Sequence, residues 1–126
     1  MRTVVLIACV VTALAISASA AQAAPAAAGP VVHLYAPNHH PRVGHPWRIR
    51  ITATTTAGRP LRAEVRYQFL YGGQVVARRS HYRFRGTFRD NIEWTAPSVG
   101  LRLTFRAVVK TPLGTRNLDW WVVPRR

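Results

Sequence analysis

The amino-acid sequence predicts an all-β fold, because its apolar residues recur with a period of two rather than the 3.6 of a helix. The clearest run is Trp47–Ala53, in which apolar and polar residues alternate without a break, as they do in a strand with one buried face. Glu64–Phe69 and Leu101–Ala107 repeat this pattern. The segments between such runs carry glycine and proline in turn-forming combinations, and no segment after Val31 has helical periodicity.

Further strands are predicted where β-branched and aromatic residues concentrate, at Val31–Tyr35, Val75–Phe84, Ile92–Thr95 and Leu118–Val123. Turn sequences separate them at residues 57–60, 71–73, 96–100 and 111–114. About seven short strands in about a hundred residues are typical of an immunoglobulin-like antiparallel β-sandwich, which is the fold class that we predict.

The alternation also predicts which side chains face the core between the two sheets. Trp120 and Trp121 have opposite parity in the last predicted strand, so we expect one indole to be buried and the other exposed. The other predicted core residues are Ile49, Ile51, Val65, Tyr67, Phe69, Ile92, Trp94, Leu101, Leu103, Phe105 and Ala107.

Residues 1–23 have the three parts of a signal peptide: the basic Arg2, an apolar run at Val4–Ala15, and small residues at Ala18–Ala23. Cleavage is expected after Ala23, with Ala20 as the alternative site. The apolar run is shorter than the roughly 20 residues that span a membrane, so we expect a secreted or envelope protein without a transmembrane segment after cleavage.

The only cysteine, Cys9, lies inside this apolar run, so the chain after residue 23 can form neither disulfides nor thiolate metal sites. Leu6–Cys9 loosely matches a lipoprotein box, but cleavage there would leave half of the apolar run on the mature chain, and we do not expect lipidation. Residues 24–30 form an Ala/Pro linker, and residues 31–126 are predicted to form one domain.

The charge is strongly one-sided, with 18 lysines and arginines against 4 aspartates and glutamates, a formal net charge of +14. One interpretation is a polyanionic partner such as an acidic polysaccharide or other envelope polymer, an anionic lipid surface, or nucleic acid. We do not expect nucleic acid to be the partner in vivo. The alternative interpretation is that arginine is the polar residue favoured by a GC-rich genome and only solvates the surface.

The order of elements resembles that of bacterial immunoglobulin-like or fibronectin type III-like secreted modules over about residues 31–124. The resemblance rests on Gly58–Leu61 leading into Val65–Tyr67, and on Leu101–Val109 followed by a terminal aromatic strand. Gly86–Asp90 and Asn117–Trp121 are also similar to stretches of uncharacterised exported proteins from GC-rich bacteria. The resemblance implies non-enzymatic work at the cell surface through adhesion, spacing or ligand holding. The antibody-type Cys…Trp…Cys core is missing, which favours the fibronectin-like topology.

In that topology the third, fourth, sixth and seventh strands form one sheet, whose outer surface we call the basic face. Guanidinium groups beside an exposed indole suit an anionic polymer or the surface of a protein partner. The predicted ligand-binding residues are Arg66, Arg79, Arg83, Arg102, Arg106, Lys110 and Trp121, with His81 and Arg85 sharing the outward parity. The alternative is that outward strand positions are polar in any protein.

A second functional hypothesis comes from the histidines. His33, His39, His40 and His45 lie close together in the sequence and offer imidazole ligands for Cu(II) or Zn(II) in an extracytoplasmic metal-handling protein. Their spacing matches no standard metal site, so no cofactor or metal is expected, and the hypothesis is kept as the alternative.

Catalysis is not expected. The carboxylates after the signal peptide are Glu64, Asp90, Glu93 and Asp119, and they lie in strands or turns among arginines, which favour the ionised form. Neither Ser80 nor Ser98 has a nucleophile-elbow sequence around it. We therefore do not assign an enzymatic reaction.

The export prediction is checked by the intact mass of the protein recovered outside the cytoplasm. We expect a mature chain that begins at Ala24, or at Ala21 if the peptidase uses the earlier site. A membrane-bound chain that retains Met1, or one that begins at a lipidated Cys9, would contradict it.

Overall fold

The computed structural model describes residues 28–126, and the signal peptide, Cys9 and residues 24–27 of the linker lie outside them. The all-β prediction is confirmed: within these residues the regular structure is strand, with one 3₁₀ turn at Ala96–Ser98. No helix in the described part of the chain is long and apolar enough to cross a membrane. The strands are β1 Val31–Tyr35, β2 Pro46–Thr54, β3 Arg62–Tyr71, β4 Gln74–Arg85, β5 Thr87–Glu93, β6 Leu103–Thr111 and β7 Gly114–Val122.

These strands form two antiparallel sheets, one with the order β1-β2-β5 and the other with the order β4-β3-β6-β7. The inward side chains of both sheets belong to one hydrophobic cluster, so the sheets pack face to face. Each central strand places arginines or other polar residues on its opposite side. The sandwich therefore has two outer faces, and both are polar.

Phe105 lies at the centre of the core and is fully buried. It contacts Trp47 of the opposite sheet edge to face, with ring centroids 5.7 Å apart, and Tyr67 of its own sheet at 5.1 Å. Such aromatic contacts add to the free energy of burial. The predicted core residues that are buried are Ile49, Ile51, Val65, Tyr67, Ile92, Trp94, Leu103, Phe105 and Ala107.

Two core predictions differ from the structure. Leu101 is 37% exposed, because the chain enters β6 only at Leu103 and Leu101 still belongs to the turn after the 3₁₀ segment. Phe69 is half-buried and packs edge to face against Trp94. In the last strand Trp120 is half-buried and Trp121 is 39% exposed, in the order that the parity allows.

The position predicted for the fifth strand is wrong. The strand runs from Thr87 to Glu93 rather than from Ile92 to Thr95. Its inward positions are Phe88, Asp90 and Ile92, so a carboxylate interrupts the apolar alternation and hides the strand in the sequence.

Asp90 is tolerated on the inner side because both of its oxygens accept hydrogen bonds. The Tyr67 hydroxyl donates to Oδ2 at 3.0 Å, and the Asn91 backbone N–H donates to Oδ1 at 2.8 Å. Burial, reinforced by the negative charge of Asp90 and by this hydrogen bond, raises the pKa of Tyr67 far above its ordinary value. Since β3 and β5 belong to different sheets, the bond ties the two layers together.

The segment 39–43 runs alongside the last residues of β7 and the tail that follows. The Val123 N–H donates to the His39 carbonyl at 2.7 Å, the Arg125 N–H to Pro41 at 2.9 Å, and the Val43 N–H to Arg125 at 2.8 Å. Arg42 and Arg125 form a parallel bridge. This segment connects β1 to β2 and also covers the end of the β7 edge.

The core assignment is tested by Phe105→Ala, which removes a fully buried ring and leaves a cavity between the sheets. We expect a loss of about 3–5 kcal/mol in the free energy of unfolding, measured by denaturant titration. Lys110→Ala, an exposed position on the same strand, should change it by less than about 0.5 kcal/mol. Comparable losses in both variants would contradict the assignment.

The hydrogen bond between the sheets is tested by Tyr67→Phe, which leaves Asp90 without its donor. We expect a loss of about 1–3 kcal/mol at neutral pH. Because the pKa of Tyr67 is raised in the folded state, its contribution to stability is complete below the unfolded pKa of about 10 and declines as the pH rises above it. Unfolding free energies at pH 8 and pH 11 should therefore differ less in Tyr67→Phe than in the native protein. Tyr71→Phe, at an exposed site, is the control and should keep the native decline.

Candidate functional site

The outer surface of the β4-β3-β6-β7 sheet is the basic face, and strand register decides which residues reach it. Outward positions align in rows across the sheet: Arg83, Glu64 and Lys110 form one row, and Gln68, Arg106 and Asp119 form another. Of the predicted ligand-binding residues, the structure brings together Arg66, Arg83, Arg102, Arg106, Lys110 and Trp121, along with His81 and Arg85.

Arg79 was expected on the basic face, and this prediction is wrong. The β3–β4 register shifts between the pair Val65–Tyr82 and the pair Tyr67–Arg79, so β4 has an extra residue opposite Arg66. The bulge reverses the parity of the residues before it in β4. Arg79 therefore lies opposite the inward Tyr67 and lines a groove at the open side of the sandwich, while Arg78 takes the outward place opposite Gln68.

Two acidic groups neutralise part of the basic face. Arg106 holds Asp119 through two hydrogen bonds, from Nε at 2.7 Å and from Nη2 at 3.1 Å, and this contact raises the pKa of Arg106. Glu64 lies 3.8 Å from His81. The cations of this face that have no ion-pair partner within 4.0 Å in residues 28–126 are Arg62, Arg66, Arg78, Arg83, Arg85, Arg102 and Lys110.

Trp121 lies at one end of the basic face, and two neighbouring side chains contact its indole ring. The Arg102 guanidinium lies 5.0 Å from the indole centroid, within the range of a cation–π contact. The His39 imidazole stacks on the same indole at 3.9 Å and 10°. The indole is therefore fixed in orientation, and its 39% exposed surface is what remains for a ligand.

An apolar row lies beside Trp121, and the sequence analysis missed it. Leu70 has outward parity in β3 but is only 6% exposed. Its row continues through Val75 in β4 and through Thr104 to Trp121. The consecutive apolar pair Phe69-Leu70 is the signal that could have revealed it. The basic face therefore has cations over most of its area and, at one end, a largely apolar row formed by Val75, Leu70, Thr104 and Trp121.

The four histidines do not converge on one point. His33 lies on β1, and His45 is exposed just before β2. His39 Nδ1 donates to the Trp121 carbonyl at 2.7 Å while its ring also stacks on Trp120, and His40 Nδ1 is 3.3 Å from the Val123 carbonyl. Residues 28–126 contain no group of three or more His, Cys, Asp or Glu side chains arranged to hold a metal ion.

The acidic and hydroxyl groups considered for catalysis make structural contacts. Asp90 accepts from Tyr67, and Asp119 accepts from Arg106. Ser98 Oγ donates to the Thr95 carbonyl at 2.6 Å within the 3₁₀ turn. Glu93 lies in another strand, opposite Pro46.

Comparison with known proteins shows a likeness in fold. No protein-family model matches the chain, and no curated protein matches its sequence. Among solved structures, the chain is similar to a crystal structure of an engineered protein, with a TM-score of 0.53 and 24% sequence identity. The match covers 80% of this chain and 21% of that protein, so the chain spans about a fifth of its length. At this identity the likeness concerns the fold alone.

Proposed function

We propose that this chain is an exported, non-enzymatic interaction module with an immunoglobulin-like fold of the fibronectin type III kind. The strand order supports the fold assignment, since the first, second and fifth strands form one sheet and the remaining four form the other. The charged N-terminal start followed by an apolar run supports export.

We further propose that the basic face binds an anionic polymer of the cell envelope. The observation that carries this proposal is the set of unpaired cations on β3, β4 and β6 and the residue before β6, beside the Arg102–Trp121 pair. Neighbouring strands are about 4.8 Å apart, and successive outward residues of one strand are about 7 Å apart. Cations on such a grid match the repeated charges of a polymer better than a single ion.

The chemistry of the residues favours phosphate or carboxylate groups on a polymer with flat, partly apolar units. Arginine forks pair with such groups through two parallel hydrogen bonds. The exposed part of Trp121 can take the apolar side of a sugar ring. An acidic protein surface is the other partner class that these residues fit. The metal hypothesis is not pursued, because residues 28–126 hold no group of three or more His, Cys, Asp or Glu side chains close enough together to bind a metal ion.

The proposal is tested by neutralising Arg66, Arg83 and Arg102 to Gln together. The triple variant should bind heparin or polyphosphate at least tenfold more weakly in fluorescence or calorimetric titrations, because each lost charge-assisted contact is worth about 1.5–3 kcal/mol. Its binding should also depend less steeply on salt, since fewer counterions are released.

The matched control neutralises Arg42, Arg59 and Arg126, which lie outside the basic face. These substitutions remove the same amount of positive charge. The control should lose less than about threefold in affinity. Equal losses in the two triples would show attraction by net charge alone and would sink the proposed face. Tighter binding to poly-glutamate than to heparin or polyphosphate would point to an acidic protein partner instead.

A further inference from the structure

A second group of arginines lies on the other side of the sandwich, on the outer face of the β1-β2-β5 sheet. Arg48 and Arg50 are successive outward residues of β2, and Arg89 is an outward residue of β5. These three side chains, which we call the three-arginine cluster, line one groove of about 580 Å³. Tyr35, Pro37 and Asn91 also line it.

The register makes the cluster compact. Arg50 lies directly opposite Arg89, and Arg48 lies opposite Asn91. Opposite residues of an antiparallel pair have Cβ atoms about 5 Å apart, and successive outward residues of one strand are about 7 Å apart. Like charges placed directly opposite each other destabilise a sheet. The Arg50–Arg89 pair thus costs stability unless an anion lies between the two guanidinium groups.

No acidic side chain in residues 28–126 forms an ion pair with the cluster. Asp90 also lines this groove, but it has inward parity, forms no ion pair with the three arginines within 4.0 Å and accepts the Tyr67 hydroxyl. Glu93 has the outward parity of β5, but it lines the groove that contains Trp94 instead. Within the described part of the fold, three guanidinium groups thus share one groove with a single carboxylate, and that carboxylate is not paired with any of them.

Tyr35 gives one member of the cluster a defined position. The Arg50 guanidinium carbon lies 4.5 Å from the centroid of the Tyr35 ring. This contact covers one flat side of the guanidinium and leaves its N–H edge for a ligand. A guanidinium that is already held loses less conformational entropy on binding, and the Asn91 amide adds a neutral donor across from Arg48.

We propose that the three-arginine cluster is a binding site for one phosphate or sulfate group. A tetrahedral oxyanion has enough oxygens to accept hydrogen bonds from two or three guanidinium groups at once. Both oxygens of a carboxylate are engaged when one guanidinium donates two parallel hydrogen bonds to it. The small area of this site also distinguishes it from the basic face, whose cations extend over three strands. Since the two surfaces lie on opposite sides of the sandwich, one molecule can hold an anion on each.

The site is tested by NMR titration of the ¹⁵N-labelled protein with inorganic phosphate, sulfate and acetate, each at constant ionic strength. We expect saturable shifts confined to the amides around Arg48, Arg50 and Arg89, with phosphate or sulfate bound more tightly than acetate. The tighter of the two names the ligand class. Equal affinity for acetate, or shifts spread evenly over both sheets, would overturn the proposal.

Variants of matched charge separate a site from general attraction. Arg50→Gln with Arg89→Gln should weaken binding of the tighter oxyanion about tenfold or more, the effect of losing one charge-assisted contact. Arg59→Gln with Arg116→Gln removes the same charge at positions that do not line the groove and should stay within about twofold. Equal weakening in the two pairs would overturn the proposal.

The same titration on the Arg66, Arg83 and Arg102 triple variant keeps the two proposals apart. The shifts around Arg50 and Arg89 should persist there, even though binding to heparin or polyphosphate is weakened. Their disappearance would mean that the cluster is not an independent site. In the absence of ligand, Arg89→Thr should raise the thermal midpoint, because it removes the like-charge pair. A lowered midpoint would show that Arg89 has a structural role and would count against the site.

Discussion

The two sheets are joined by aromatic packing around Phe105, and the fold depends on it because residues 28–126 contain no cysteine to link the layers. Trp47 reaches across from β2, and Tyr67 packs beside it from β3. The indole Nε1 atoms of Trp47 and Trp94 are buried without a hydrogen-bond partner in the described structure. Each such group costs about 1–3 kcal/mol, so burial of the large rings has to outweigh this penalty. The Tyr67–Asp90 hydrogen bond adds a directional contact to a core that is otherwise held by shape and burial.

Once the core takes the apolar side of every strand, the arginines have to lie on the two outer faces. The net charge of the protein is thereby divided between opposite surfaces, with the basic face on one sheet and the three-arginine cluster on the other. The two surfaces differ in more than position. The basic face spreads its cations over three strands, β3, β4 and β6, and contains two acidic residues, Glu64 and Asp119. The cluster instead concentrates Arg50 and Arg89 in one opposed pair. An extended ligand suits the first arrangement, and a single anionic group suits the second.

The sequence predicts well the parts of this structure that one strand determines alone. Unbroken alternation identified β2, β3 and β6 and the inward side of each, and it correctly separated Trp120 from Trp121. Features that depend on two strands escaped it. The bulge that moves Arg79 inward is a shift in the register between β3 and β4. No residue type in either strand indicates it. The sequence misplaces strand β5 because Asp90 occupies an inward position, where it accepts hydrogen bonds from the Tyr67 hydroxyl of the other sheet and from the Asn91 N–H. Without β5, Arg89 could not be placed beside Arg50.

The unpaired edge of the four-stranded sheet has a consequence for how copies of this protein behave in a crowded solution. Strand β4 is twelve residues long and ends the sheet on one side, where its free backbone groups could pair with a second chain. Arg78, Arg79, Arg83 and Arg85 lie along it, so two such edges repel each other over a Debye length of about 10 Å at 0.1 M salt. On the other side of the sheet, backbone hydrogen bonds from residues 39–43 cover the end of β7. One edge is covered by hydrogen bonds from its own chain, and the other is protected only by the repulsion between its arginines. Resistance to aggregation therefore depends on ionic strength as well as on folding.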